Sequence, residues 1–230
     1  MTAVAPEVIP YEQQHERRSC GAAALYMVYR SLGLPATQSE IWERVARPGP
    51  WGTPRTNTKR LVADAHTLGL AALVLKASQP WPLLQQCAAN DLRVILNHLL
   101  TSGSPAGHYS VLVGVTDDHV VLHDPAGRPD RRLSKAELQD LWGPARGRSE
   151  TAGHVLVAIA AAPQGAPCQR CRTEIPALVA CPTCRQAIPL QPAAALGCVQ
   201  PGCPARLWER LFCPSCDRPL STLVELIADG

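Results

Sequence analysis

Gly107-His-Tyr-Ser-Val-Leu-Val-Gly-Val115 runs through Thr116-Asp117-Asp118 into His119-Val-Val-Leu-His123-Asp124. Tyr109–Val115 and His119–His123 are short Val- and Leu-rich runs, a composition that fits strands, and Asp117-Asp118 is the tight connection between them. They predict antiparallel neighbours in one sheet. Arg93–Leu99 and His154–Ala160 have the same texture and are expected to join it.

Upstream of this sheet the chain reads as helical. Gly21–Leu32 is rich in helix formers and is stopped by Gly33 and Pro35, which leaves Cys20 at the mouth of a helix. Ser39–Ala46 predicts a second helix with Ser39 as its N-cap. Trp51–Asn57, with Gly52 and Pro54, reads as a loop. Lys59–Leu68 is a helix ended by Gly69, followed by a strand over Ala71–Lys76 and a helix over Pro82–Ala89. Ser134–Trp142 is an inserted helix with Ser134 as N-cap and Glu137 at the capping-box position. Helices first and sheet afterwards describe an α+β domain over residues 1–162, and residues 163–167 have the composition of a linker.

The 230 residues are 46% hydrophobic and 18% charged, which excludes wholesale disorder and fibrous repeats. The N-terminus lacks a basic start followed by an apolar run. The longest apolar stretch, Val155–Pro163, falls far short of the roughly 20 residues that span a bilayer. The expectation is a soluble cytoplasmic protein, in which paired cysteines mean metal or catalysis rather than disulfides.

Eight of the ten cysteines follow Pro167: Cys168-x2-Cys171, Cys181-x2-Cys184, Cys198-x4-Cys203 and Cys213-x2-Cys216. The nine residues between the two pairs of each group (172–180 and 204–212), and the matching Ala-Cys-Pro-Thr-Cys and Phe-Cys-Pro-Ser-Cys knuckles, mark an internal duplication. Two such knuckles complete the tetrahedron that zinc prefers. Residues 168–230 therefore read as tandem four-cysteine zinc ribbons holding two structural Zn2+ ions. One ion falls to Cys168, Cys171, Cys181 and Cys184 and the other to Cys198, Cys203, Cys213 and Cys216, with a cross-braced pairing as the rival. With so few large apolar residues, this tail is expected to need metal in order to fold. Two Zn2+ on eight thiolates subtract four charges, so the formal net charge of +3 becomes about −1. From Gln164 the tail has six Arg, five acidic residues, no Lys and few aromatics, which argues for a protein partner rather than nucleic acid.

Cys20 is a different kind of cysteine. A helix N-terminus favours thiolate over thiol. Gln14, six residues upstream, carries an amide suited to an oxyanion, and this spacing prefers it to Gln13. His108 opens one strand and Asp124 closes the next, so nucleophile, base and acidic orienter are all present. Each also has a plainer reading, as a buried cysteine, a loop histidine and an Asp-Pro turn. By strand alternation His123 points away from Asp124, as a packed or a solvated histidine. Cys87 reads as core, and Arg17-Arg18 and Arg131-Arg132 as solvated charge. His15, His66, His98, His119 and His154 show no ligand spacing to one another.

Gln14-x5-Cys20-Gly-Ala-Ala23, Gly107–Val115, Asp124-Pro-Ala-Gly127 and Leu133-Ser-x-x-Glu-Leu-x-x-Leu-Trp142 together resemble the bacteriocin-processing, double-glycine leader peptidases, which are papain-like cysteine peptidases. The resemblance covers about residues 8 to 161. It implies Cys20 as nucleophile, His108 as base and then acid, Asp124 as orienter of the imidazole, and Gln14 with the Cys20 N–H as oxyanion hole. It also implies cleavage after small residues, typically a Gly-Gly pair. Ser19 stands where the family commonly has an acidic residue. Family members usually form the front of a membrane exporter, whereas this chain has no transmembrane run and no Walker-type phosphate loop. The expected function is a soluble cysteine endopeptidase whose ribbons recruit a protein. The alternatives are a silent peptide-binding module, or an acyltransferase that passes the thioester to an amine or thiol.

Overall fold

The computed structural model describes residues 8–49, 52–144, 149–162 and 167–220. The first helix, α1 (Cys20–Ser31), is buried at ten of its twelve positions, as its run of Ala, Leu, Met and Val demands. It closes at Gly33, whose φ of +68° costs a glycine little. The second helix, α2 (Gln38–Val45), starts one residue earlier than expected and is capped by Thr37, not Ser39. Thr37 has Glu40 three residues on. Its hydroxyl accepts from the Glu40 N–H at 3.2 Å while the Glu40 carboxylate accepts from the Thr37 N–H at 2.8 Å. Ser39 has Trp42 at that distance and cannot close such a box.

Arg47–Pro48 (β1) and Pro54–Arg55 (β2) pair in a small ladder, so the stretch expected to be a loop contains a short strand; Trp51 lies outside the described residues. Next come α3 (Thr58–Thr67), capped by Asn57, then β3 (Ala71–Ala77) and α4 (Pro80–Ala89), which begins at Pro80 rather than Pro82. Strands β4 (Arg93–Leu99), β5 (Gly107–Val115), β6 (His119–His123) and β7 (Arg131–Ser134) lead to α5 (Lys135–Trp142) and β8 (Val155–Ala160). The Ser134–Glu137 capping box is present as read.

After residue 167 come β9 (Leu178–Ala180), β10 (Ala187–Pro189), α6 (Ala193–Leu196), β11 (Trp208–Phe212) and β12 (Pro219–Leu220). Of the expected linker, residues 163–166 lie outside the described residues. This tail does not stand apart from the first domain. β11 pairs with β3, placing Leu211 beside Leu75 and Phe212 beside Val74, so the eight-stranded antiparallel sheet runs β12-β11-β3-β8-β4-β5-β6-β7.

Both faces of the sheet are covered. α1, α2 and α3 pack on one face against Val74, Ile95, Val111 and Val157. Leu83 and Leu84 of α4, Leu138 and Leu141 of α5, and Trp208 and Leu211 from the tail pack on the other, against Leu75, Leu96 and Leu156. β4 and β8 lie at the centre and are buried at every position, which is why they read as continuous apolar runs without alternation. Among the described residues no helix is long and apolar enough to cross a membrane.

Candidate active site

Cys20 is the first residue of α1, where unpaired helix N–H groups collect, and it is buried against the core that includes Tyr109 and Val111. His108 is the second residue of β5 and Asp124 follows β6, its ladder neighbour. Nε2 of His108 meets Oδ1 of Asp124 at 2.7 Å, and Cys20 lines the same cleft, near enough to favour the charged imidazole. With Nε2 engaged by the carboxylate, Nδ1 is the nitrogen left for sulfur. The structure therefore brings Cys20, His108 and Asp124 together.

Asp124 is only 6% exposed, yet its oxygens are fully engaged. Oδ1 also accepts from the Ala126 N–H at 3.1 Å, and Oδ2 accepts from Arg131 at 2.8 Å. Burial opposes its ionisation, but the bonds from His108, Arg131 and Ala126 outweigh this and hold the carboxyl well below the usual carboxylate range. Burial likewise pulls the His108 pKa down. The hydrogen bond to Asp124, with the attraction of Cys20 and Asp124, overcomes that and raises it to about 9.

Arg131 thus corrects the reading of Arg131-Arg132 as solvated charge. β7 pairs alongside β6, with Arg131 opposite Leu122, and this carries the guanidinium to the carboxylate. Nothing in the local sequence marked it. His98 was also passed over. It lies directly across the ladder from His108, with ring centroids 5.3 Å apart. Burial and the neighbouring His108 lower its pKa to about 4, and Leu99 O and Ser110 Oγ hold its two nitrogens. His123, left open between packed and solvated, is packed, with Nε2 donating to Ile9 O at 2.9 Å, and Cys87 is core as expected, its thiol pushed up to about 12 by burial.

Residues 9–14 lie along the turn that bears Asp124. Beyond the His123–Ile9 bond, Tyr11 Oη donates to Asp124 O at 3.3 Å and the Gln14 N–H donates to Pro125 O at 3.0 Å. Gln14 accordingly reaches the cleft that holds Cys20 and His108, whereas Gln13 is exposed. Gln14 Nε2 donates to Glu16 O at 2.8 Å, and its Oε1 is buried without a partner among the described residues. One of the two amide N–H donors is thus engaged by Glu16 O.

The eight tail cysteines form two groups: Cys168, Cys171, Cys198 and Cys203, and Cys181, Cys184, Cys213 and Cys216. This corrects the sequential pairing. β9 and β10 form a hairpin with Cys181 and Cys184 at its tip, and β11 and β12 form another with Cys213 and Cys216 at its tip. The residues after Cys171 lead away into β9, so alternate knuckles meet. Sγ–Sγ distances across the paired knuckles are 3.4 and 3.8 Å in the first group and 3.7 Å twice in the second. A tetrahedron with arms of about 2.3 Å has edges of about 3.8 Å, so the donors fit one ion per group. Disulfides would need about 2.05 Å. Arg172, Arg185 and Asp217, each just after the second cysteine of a knuckle, share φ near +63° (62°, 62° and 65°), so three of the four knuckles repeat one turn.

Residues 8–145 match the Peptidase C39 family. An uncharacterised protein of Methanothermobacter thermautotrophicus is 32% identical over 128 residues, which cover 54% of this chain and 76% of that protein. The fold is similar to that of a double glycine motif protease from an AMS/PCAT transporter, solved in complex with its leader peptide (18% identity, TM-score 0.50, covering 68% of this chain and 94% of that one). It is also similar to a C39-like protein of Bacillus anthracis (14% identity, TM-score 0.50, covering 66% and 94%).

Proposed function

The chain belongs to the peptidase C39 family, and from that premise we propose that it is a cysteine endopeptidase that cleaves a peptide after a small residue such as glycine. The observation that carries this reading is the His108 imidazole, hydrogen-bonded to Asp124 and sharing one cleft with Cys20, which favours its charged form. A charged imidazole against sulfur is the arrangement in which a thiolate acts as nucleophile. In this reading Cys20 Sγ attacks the scissile carbonyl. His108 gives its proton to the leaving amine, then takes one from the water that hydrolyses the thioester. Asp124 keeps the ring oriented through both steps, itself held by Arg131 and the Ala126 N–H. The Cys20 N–H and Gln14 Nε2 would receive the oxyanion. Gln14 Nε2 has a second N–H for this role while the first donates to Glu16 O.

The substrate class is proposed as a peptide with a Gly-Gly-like site, supported by the leader peptide seen in the AMS/PCAT transporter protease. Residues 1–162 would form the peptidase unit. Residues 168–230 would hold two zinc ions in closed four-thiolate sites, stabilising the tail without an open coordination position. Eight reduced thiols fit a reducing compartment such as the cytoplasm.

Cys20→Ala tests the reading. Peptide turnover and labelling by a thiol-directed covalent inhibitor should both vanish while the fold is kept, and His108→Ala should block labelling as well. Full turnover in the Cys20 variant would overturn it. Trapping with intact labelling but no hydrolysis would favour acyl transfer.

A further inference from the structure

The cleft that contains Cys20 and His108 encloses about 860 Å3, and two chemistries meet in its walls. Arg17, Arg18, Arg47, Arg55 and Arg60 all line it. Its carboxylates are Glu150 and Asp217, and Glu150 lies 3.7 Å from Arg55. Arg47 spends its guanidinium on the carbonyls of Arg44 and Ala46, which leaves its charge uncancelled. Five guanidinium groups thus face two carboxylates, and the surplus is positive. A cleft lined by one sign of charge focuses its field and concentrates ligands of the opposite sign.

The second chemistry comes from the tail. Phe212, the one phenylalanine of the chain, and Asp217 also line this cleft. They bracket the knuckle Cys213-Pro-Ser-Cys216, one immediately before it and one immediately after. Strand alternation in β11 sends Leu211 into the core under α4 and α5, and turns Phe212, opposite Val74, toward the core that contains Cys20 and Tyr109. The cysteine-cluster segment is therefore part of the wall of the cleft, not a remote appendage.

We propose that this cleft selects a peptide bearing acidic side chains, held by Arg17, Arg18, Arg47 and Arg60, with an apolar side chain against Phe212 from the cysteine-cluster segment. The proposal deepens the peptidase reading and rests on it for the position of the scissile bond. A peptide is favoured over single-stranded nucleic acid because the cleft also contains two carboxylates, which would repel a continuous phosphate backbone. It offers Phe212 and the buried Tyr109 as aromatics, not a row of stacking platforms.

The test uses the full-length, zinc-loaded Cys20→Ala protein and fluorescence anisotropy with two labelled peptides. Both peptides carry a Gly-Gly site and an adjacent leucine; one has flanking Glu residues and the other has Gln in their place. The Glu peptide should bind about tenfold more tightly or better, a difference of about 1.4 kcal/mol. That margin should collapse in Arg17→Glu/Arg18→Glu, and at about 0.5 M salt, where screening acts over about 4 Å. Phe212→Leu should keep both zinc ions and weaken both peptides severalfold. Equal binding of the two peptides would overturn the proposal, as would their displacement by oligodeoxythymidylate at the same concentration. Thiol-inhibitor labelling of the unaltered protein reports separately on the peptidase reading. Selective binding without labelling would sink catalysis and leave the specificity intact.

Discussion

Arg131 donates to Asp124 Oδ2 at 2.8 Å, so the carboxylate that orients His108 is itself oriented from the neighbouring strand. Asp124 is thus gripped by three donors on two oxygens, and its ionisation at neutral pH is assured despite burial.

Arg131→Gln removes one of the groups that lower the Asp124 pKa, so that pKa should rise. The form with ionised Asp124 would then be lost at a higher pH as the solution is acidified. The acid limb of the kcat/KM profile should shift upward. Turnover near neutrality should fall about tenfold, in the range usual for a lost charged hydrogen bond, with KM little changed. A variant that lowers activity equally at all pH values would show Arg131 to be merely structural.

His108 sets the alkaline limb. Its pKa is about 9 when folded against 6.5 for a free imidazole, so its contribution to stability is complete below 6.5 and disappears as pH rises through 9. Peptide hydrolysis should fall above pH 9, because the leaving amine then lacks its acid. Alkylation of Cys20, which needs no acid, should not fall. Stability measured by urea titration should decline less between pH 6.5 and 9 in His108→Ala than in the unaltered protein.

The crossed cysteine groups make a prediction that sequential pairing cannot. Cys171→Ser should release one ion and leave Cys198 and Cys203 open to a thiol reagent, while Cys181 and Cys184 stay protected. Mass spectrometry of the labelled peptides reads the outcome directly, and labelling of Cys181 and Cys184 instead would restore the sequential arrangement. Removing both ions with a strong chelator should also weaken peptide binding, because Phe212 and Asp217 flank one knuckle.

The cap of α2 separates two neighbouring hydroxyls. Thr37→Ala should cost about 1 kcal/mol, the usual loss for an N-cap. Ser39→Ala should stay within about 0.5 kcal/mol, since Ser39 is inside the helix and makes no cap. Denaturant midpoints of the two variants, compared at equal slope, decide it.

Local signals sufficed wherever the cause was local. The strands Arg93–Leu99 and His119–His123 were legible to the residue because Val and Leu runs between turn formers specify little else. So was the Ser134–Glu137 box, which needs only its own four residues. The family pattern pointed to Cys20, His108, Asp124 and Gln14 as candidates, and the cysteine spacing pointed to two four-thiol groups. What the sequence could not determine was which distant segments meet. Arg131 reaches Asp124 only because β7 lies alongside β6, and His98 faces His108 only through the β4–β5 register. The four cysteine pairs are nearly interchangeable as ligands, so their partners depend on which hairpin tips converge. Phe212 enters the cleft of Cys20 and His108 because β11 extends the sheet at β3, a pairing between segments more than 130 residues apart that only burial of Leu211 and Trp208 in a shared core could select.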